Sequence, residues 1–193
     1  MGLPPGLVDR VRQAFRLDWK GIHGAGHWGR VAFHGRYLAR ALGVRTLVPQ
    51  LFALLHDSQR HDDGHDPGHG TRAAGFVRQL QRDGALDVPS DDLGLLVLAC
   101  EGHSEGRREA PLPVQVCWDA DRLDLGRVGI RPDPLRLCTT PARDPHYLEF
   151  AWRWSTTRTV RGDVRLAPPR PEAGRSDWAP RIRDDPPTTQ DRF

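Results

Sequence analysis

An apolar run in the middle of the chain stops abruptly at a histidine and an aspartate. Residues 51–55 are all apolar, His56 and Asp57 follow, and residues 59–68 contain no Ala, Val, Leu, Ile, Met, Phe, Tyr or Trp. A buried helix that ends at a solvated polar loop has this pattern. The chain must therefore bury residues 51–55 and hold His56 and Asp57 at the rim of its core.

His56 and Asp57 together form a candidate metal-binding pair. Adjacent residues in a helix point about 100° apart and do not converge on one ion. In a fraying last turn, however, the imidazole and the carboxylate can meet at one cation, and this donor set suits Mn, Fe, Co, Ni or Zn. An ordinary surface His–Asp pair is the alternative interpretation.

Helical periodicity dominates the remaining sequence. Apolar residues recur at three- and four-residue steps, and Pro, Gly and Ser mark the ends of the segments. No segment alternates apolar and polar residues convincingly, so we predict an all-α fold. The predicted helices span residues 6–19, 27–42, 49–57, 68–83, 90–103, 114–125 and 147–160.

The length and composition predict one domain with a tail. The chain has 193 residues, and we assign residues 1–160 to a helical bundle and residues 161–193, rich in Pro, Arg and Asp, to an irregular or disordered tail. No apolar run is long enough to span a membrane, and no signal peptide is evident. The three cysteines show no CxxC spacing, which indicates reduced thiols in a cytoplasmic protein.

The charge pattern argues against nucleic-acid binding. The formal net charge is +3, and arginine supplies nearly all of the positive charge because Lys20 is the only lysine. These arginines are scattered along the chain and do not form a basic stripe. A small anionic substrate remains compatible with them.

Two further titratable residues lie on predicted apolar faces. His27 shares a stripe with Val31 and Leu38, and Asp121 continues the stripe of Val114 and Cys117. Each alone could be a hydrogen-bonded core residue. Two imidazoles and two carboxylates in one small core are costly, however, unless a cation compensates them.

The order of these residues resembles a known family. Residues 22–31 (IHGAGHWGRV) surround His27, residues 54–57 read Leu-Leu-His-Asp, and residues 119–124 (DADRLD) surround Asp121. This pattern is similar to the HD-domain superfamily, an all-helical class of metal-dependent phosphohydrolases. The resemblance covers residues 22–125.

The resemblance implies specific metal ligands. They are His27, His56, Asp57 and Asp121 for one divalent ion, while Asp119 and Asp124 either support the ligands or face solvent. Some relatives hold a second ion through added histidines, and His69 and His103 are the candidates here. The paired histidines of the clearest two-metal members are absent.

A phosphate substrate would also need cationic and proton-transferring groups. Arg60, just past the His–Asp pair, is the first candidate for binding phosphate through its planar fork, and Arg122 is the second. Asp63 and Asp66 in the polar loop are candidates for transferring a proton to the leaving alkoxide. Solvated arginines and turn-forming aspartates are the alternative interpretations.

The expected function is hydrolysis of a phosphate ester, of a nucleotide or a related small metabolite, by metal-activated water. One alternative is a di-iron oxygenase of the same fold, which requires His69 and His103 as ligands. Another is a module without catalytic activity that binds a nucleotide or a partner protein through the same surface.

Overall fold

The computed structural model describes residues 3–157. Within that range the chain forms seven α-helices and no strand, which confirms the predicted all-α class, and no helix is both long and apolar enough to cross a membrane. The helices are α1 (Leu7–Ala14), α2 (Ala25–Ala41), α3 (Leu47–Leu55), α4 (His69–Arg82), α5 (Ser90–Gly102), α6 (Leu112–Arg122) and α7 (Pro145–Thr156). Three 3₁₀ turns (Leu125–Val128, Pro134–Arg136 and Pro141–Arg143) connect α6 to α7.

Some helix ends differ from the prediction. Helix α1 stops at Ala14 and does not continue to residue 19, because Phe15 is extended and packs edge-on against Trp28 at a centroid distance of 5.0 Å. Helix α7 begins at Pro145, where the Asp144 carboxylate accepts a hydrogen bond from the Tyr147 backbone N–H. Residues 158–160 of the predicted last helix and the predicted tail lie outside the described range.

Helix α3 is the centre of the larger hydrophobic core. Leu51, Phe52 and Leu55 are fully buried, and the helix packs against α2, α5 and α6. Helix α4 packs beside α5 on the outside of this group. A helix buried on several sides must be apolar around most of its circumference, which explains the continuous apolar run of residues 51–55.

A second, smaller core attaches α7 to the bundle. It includes Leu38, Leu123 and Tyr147, all of which are buried. His34 on α2 is also buried here, and its Nδ1 lies 2.8 Å from the Tyr147 hydroxyl. The Tyr147 ring stacks on Tyr37 at 4.0 Å. Helix α2 therefore contributes buried residues to both cores.

Candidate metal centre

Helix ends converge on one buried polar cluster. His27 lies in the first turn of α2, His56 and Asp57 directly follow α3, His69 opens α4, and His103 directly follows α5. Each of these five residues is at most 5% exposed. Helix ends carry unpaired backbone groups that can accept or donate hydrogen bonds, so side chains at these positions can be oriented by the backbone.

The first group of ligand atoms contains two histidines and two carboxylates. His27 Nε2 and His56 Nε2 are 3.0 Å apart, and Asp57 Oδ2 lies 3.5 Å from each of them. Asp121, in the last turn of α6, places Oδ1 3.4 Å from His27 Nε2 and 3.8 Å from His56 Nε2. The structure thus brings together the four residues implied by the family resemblance.

The second group of ligand atoms lies around Oδ1, the other carboxylate oxygen of Asp57. His69 Nε2 and His103 Nε2 are 2.8 Å apart, and Asp57 Oδ1 lies 3.4 Å from the first and 3.6 Å from the second. In each histidine–Asp57 trio, the ligand atoms all lie within 4.8 Å of one another. Each carboxylate oxygen of Asp57 therefore faces one pair of histidines.

Hydrogen bonds on the far side of each ring fix the histidine tautomers in the first group. His27 Nδ1 lies 2.7 Å from Asp124 Oδ2, and His56 Nδ1 lies 3.1 Å from the Phe52 carbonyl oxygen. Both partners accept hydrogen bonds, so each Nδ1 carries the proton. The two Nε2 atoms then face each other with bare lone pairs, an arrangement that a cation between them would stabilise.

The second group repeats this arrangement. His103 Nδ1 lies 2.7 Å from the Cys100 carbonyl oxygen, and His69 Nδ1 contacts the Asp66 carbonyl oxygen. Because a carbonyl can only accept, both Nε2 atoms are again the unprotonated ring nitrogens. All four histidines thus have the orientation typical of metal ligands, in which the second ring nitrogen donates to the protein.

Two buried carboxylate oxygens in the cluster accept no hydrogen bond from the described residues. Asp57 Oδ1 and Asp121 Oδ1 are buried and have no hydrogen-bond partner among the described residues. Burial raises the pKa of Asp57, but the adjacent imidazoles of His56, His103 and His27 hold this pKa well below its usual range. Buried anionic oxygens beside bare imidazole nitrogens form a set that a divalent cation would satisfy, so these residues fit a metal ion.

The histidine pKa values agree with a site for positive charge. Burial lowers the pKa of His56 to about 3, so this ring is neutral and available as a ligand. Burial lowers the pKa of His103, yet the Asp57 and Asp121 carboxylates and the Cys100 carbonyl oxygen together raise this pKa above its usual value. The cluster therefore favours a cation close to Asp57.

Two arginines flank the cluster. Arg60 Nη1 lies 3.6 Å from Asp57 Oδ1 and 3.3 Å from His69 Nε2, and its other nitrogens donate to backbone carbonyls in the polar loop. Arg127 Nη2 lies 3.8 Å from Asp121 Oδ1. The sequence had pointed to Arg60 but not to Arg127, which follows α6 in a 3₁₀ turn where no periodicity marks it.

The structure does not bring Arg122, the second phosphate-binding candidate from the sequence, to the cluster. Its guanidinium donates to the Arg136 and Arg107 carbonyl oxygens and lies over the Trp118 ring. Neighbouring residues of a helix point in different directions, so Asp121 faces the cluster while Arg122 faces away from it. Arg122 therefore hydrogen-bonds to the segments before and after α6.

The loop aspartates differ in what they contact. Asp66 accepts hydrogen bonds from Arg72 Nη2 at 2.5 Å and from the His61 backbone N–H at 2.8 Å. Burial raises the pKa of Asp66, but these donors lower it to about 2, so its side chain stays ionised and is a poor proton donor. Asp63 is half-exposed, and its Oδ1 lies 2.9 Å from His23 Nδ1.

Asp119 and Asp124 are both buried, so neither faces solvent. Asp124 accepts from His27 and also from Arg30 Nε at 2.5 Å, and it therefore orients a ligand. Asp119 accepts from the Cys138 N–H at 2.7 Å and from the Thr139 N–H and hydroxyl, both at 2.8 Å. Asp119 thus holds the connection between α6 and α7.

Comparison with known proteins supports the fold. No family model matches the chain, and no curated protein sequence matches it. The crystal structure of a predicted HD superfamily hydrolase from an uncultured Thermotogales bacterium superposes with a TM-score of 0.59 and 23% identity. The match covers 78% of this chain and 85% of that chain. The chain therefore has the fold of an HD superfamily hydrolase, as its His and Asp motifs predict.

Proposed function

We propose that the protein is a metal-dependent phosphohydrolase that cleaves a phosphate ester of a nucleotide or a related small metabolite. One observation carries the proposal: two pairs of bare imidazole nitrogens face each other on either side of the Asp57 carboxylate. The HD-type fold supports the same conclusion. We further propose a cytoplasmic location, because all three cysteines are free thiols.

In this proposal each group of ligands holds one divalent ion, with Mn, Co, Ni, Fe and Zn as the candidates. His27, His56, Asp57 and Asp121 hold the first, and Asp57, His69 and His103 hold the second. Arg60 already places a positive charge 3.3 Å from His69 Nε2. The second group would therefore hold its ion more weakly than the first, because like charges repel at short range.

A bound ion would supply Lewis-acid activation of water and charge neutralisation at phosphorus. The protein's own groups do the remaining work. Arg60 binds a phosphate oxygen through Nη1 and Arg127 binds one through Nη2, since the other nitrogens of both guanidinium groups donate to backbone carbonyls. Asp124 keeps His27 in its ligand tautomer. Asp63, held by His23, transfers a proton to the leaving alkoxide.

Elemental analysis of purified variants tests the ligand assignment. The wild-type protein, loaded with Mn and desalted, should retain metal, while His56→Ala and Asp121→Ala should lose tight binding and all metal-dependent phosphatase activity. His69→Ala should lose only the weaker ion. His146 is exposed, so His146→Ala serves as the control. Full metal content and full turnover in Asp121→Ala would refute the assignment.

Arg60→Ala separates phosphate binding from metal binding. We expect kcat/KM for a phosphate ester to fall by about tenfold or more, since a hydrogen bond to a charged group contributes about 1.5–3 kcal/mol. Metal content should remain unchanged. Arg78, an exposed residue on α4, provides the matched control variant Arg78→Ala. Unchanged kinetics in Arg60→Ala would remove Arg60 from the proposed site.

The shared carboxylate also favours a second candidate function. A carboxylate between two pairs of histidines suits a di-iron oxygenase, which needs His69 and His103 as ligands. Protein purified with two irons per chain that consumes oxygen with an organic substrate, and releases no phosphate from esters, would support this candidate. A protein that binds phosphate esters without turnover would instead support the non-enzymatic module.

A further inference from the structure

A separate cavity lies among α1, α2 and α3. Its volume is about 160 Å³, and its walls are mostly apolar. The lining includes Trp19, Trp28, Ala32, Arg36, Gln50 and Leu54, and no member of the metal cluster takes part. The Trp19 and Trp28 rings meet edge-to-face at 5.2 Å. An engineered cavity of about 150 Å³ with apolar walls admits benzene, so this one is large enough for a single six-membered ring.

Polar groups in the cavity wall have no partner within the described residues. Trp28 is 3% exposed, and its indole Nε1–H is buried without an acceptor. The side chains of Arg36 and Gln50, both half-buried, make no hydrogen bond or ion pair to another residue of that range. Leaving a buried donor unpaired costs about 1–3 kcal/mol. A few convergent polar groups in an apolar pocket are typical of a small-molecule site.

The charge at the cavity is positive and uncompensated. Burial lowers the pKa of Arg36, the nearby Arg40 lowers it further, and no carboxylate opposes the shift. No acidic residue lines the cavity. The cavity therefore disfavours a cationic ligand and favours an anion that can accept hydrogen bonds from Arg36 and Trp28.

We propose that this cavity binds a small organic carboxylate whose apolar body is about the size of a benzene ring. The carboxylate accepts from the Arg36 guanidinium and the Trp28 indole N–H, and the ring packs against Trp19 and Leu54. A planar carboxylate matches the arginine fork, whereas a phosphate group would bring more charge than one arginine neutralises.

Calorimetric titration of the full 193-residue chain with benzoate tests the proposal. We expect saturable binding at one site per chain, with equal affinity in chelator and in Mn, because the metal cluster is not involved. Benzyl alcohol, which has the same ring without the charge, should bind at least about tenfold more weakly. Nuclear Overhauser contacts from the benzoate ring to the Trp28 indole should locate it.

Variants on α2 provide the decisive comparison. Arg36→Met, which keeps most of the side-chain stem, should weaken benzoate binding by at least about tenfold, and Trp28→Phe should weaken it while preserving the fold. Arg40 is exposed and does not line the cavity, so Arg40→Met should bind benzoate like the wild type. No saturable binding at millimolar benzoate, binding only in the presence of Mn, or unchanged affinity in Arg36→Met would each overturn the proposal.

Discussion

The Asp57 carboxylate lies between two pairs of histidines. The Nδ1 of each histidine donates to an oxygen acceptor, which orients the ring. Three of these acceptors are backbone carbonyl oxygens, while His27 alone uses a carboxylate, that of Asp124. Asp124 also binds Arg30 through both oxygens. Burial raises the pKa of Asp124, but His27 and Arg30 lower it to about 2, so it is ionised. Asp124 therefore makes His27 the more basic ligand.

Asp124→Asn should weaken metal binding without removing a ligand. The amide can still accept from His27 Nδ1, but it loses the charge that raises the basicity of the ring. We expect the metal affinity to fall by about 10–100-fold, as is common when a residue supporting a ligand is changed. Competition with a fluorescent chelator measures this loss. Glu149 is a half-exposed carboxylate on α7 that also binds two arginines, so Glu149→Gln should leave the affinity unchanged.

At the scale of elements, the contact between α4 and α5 sets the spacing of the second pair of histidines. His69 begins α4, and His103 directly follows α5. Gly70 allows the two backbones to approach, since a Cβ there would lie 2.7 Å from the Cys100 carbonyl oxygen. That same carbonyl accepts the hydrogen bond from His103 Nδ1. The glycine next to His69 is therefore part of the cluster's geometry.

Gly70→Ala should separate His69 from His103. The added methyl group must push α4 away from α5, which we expect to cost about 1–3 kcal/mol in unfolding free energy and to abolish the weaker metal site. Gly75, on the same helix, has no atom within 4 Å of an added Cβ. Gly75→Ala should therefore stabilise the protein by roughly 1 kcal/mol through helix propensity alone.

Urea unfolding and metal titration of both variants measure these effects. The first metal site, which does not involve α4, should keep its affinity in Gly70→Ala. If Gly70→Ala retained the wild-type stability and two metal ions, the close approach of α4 and α5 would not control the site.

At the scale of the whole molecule, α2 contributes to both hydrophobic cores and carries the buried His34. We expect this histidine to make the unfolding free energy depend on pH. Burial lowers the pKa of His34 to about 4, with Asp124 opposing the shift and Arg30 and His27 adding to it. The unfolded chain has a pKa of about 6.5 at this residue and binds the proton first. The stability that neutral His34 contributes is therefore complete above pH 6.5 and is lost as the pH falls toward 4.

This loss should amount to about 2 kcal/mol between about pH 6.5 and about pH 5. His56, whose pKa is also lowered, adds to the acid sensitivity of the metal-free protein. The variant His34→Phe isolates the contribution of His34, because its unfolding free energy should fall less over the same interval. Urea unfolding in chelator at the two pH values measures it, and His146→Phe is the exposed control. Parallel pH curves for His34→Phe and wild type would contradict the assignment.

The sequence by itself determined the helical class, the approximate positions of the helices and the principal histidines and aspartates. These follow from local periodicity, because the apolar face of a helix must be buried in any tertiary arrangement of the chain. It did not determine the end of α1, which depends on the contact between Phe15 and Trp28. Nor could it distinguish Arg122, which lies away from the cluster, from Arg60, which contacts Asp57, since both are arginines next to a motif.

Only the tertiary structure decided that Asp57 lies between two pairs of histidines. The residues of the second pair are 34 positions apart in the chain, and their distance depends on how closely α4 and α5 pack. The same holds for Arg127, which approaches Asp121 because a 3₁₀ turn redirects the chain after α6. Periodicity specifies which face of a helix is buried, whereas the distance between two helix ends is set by the side chains and glycines between them.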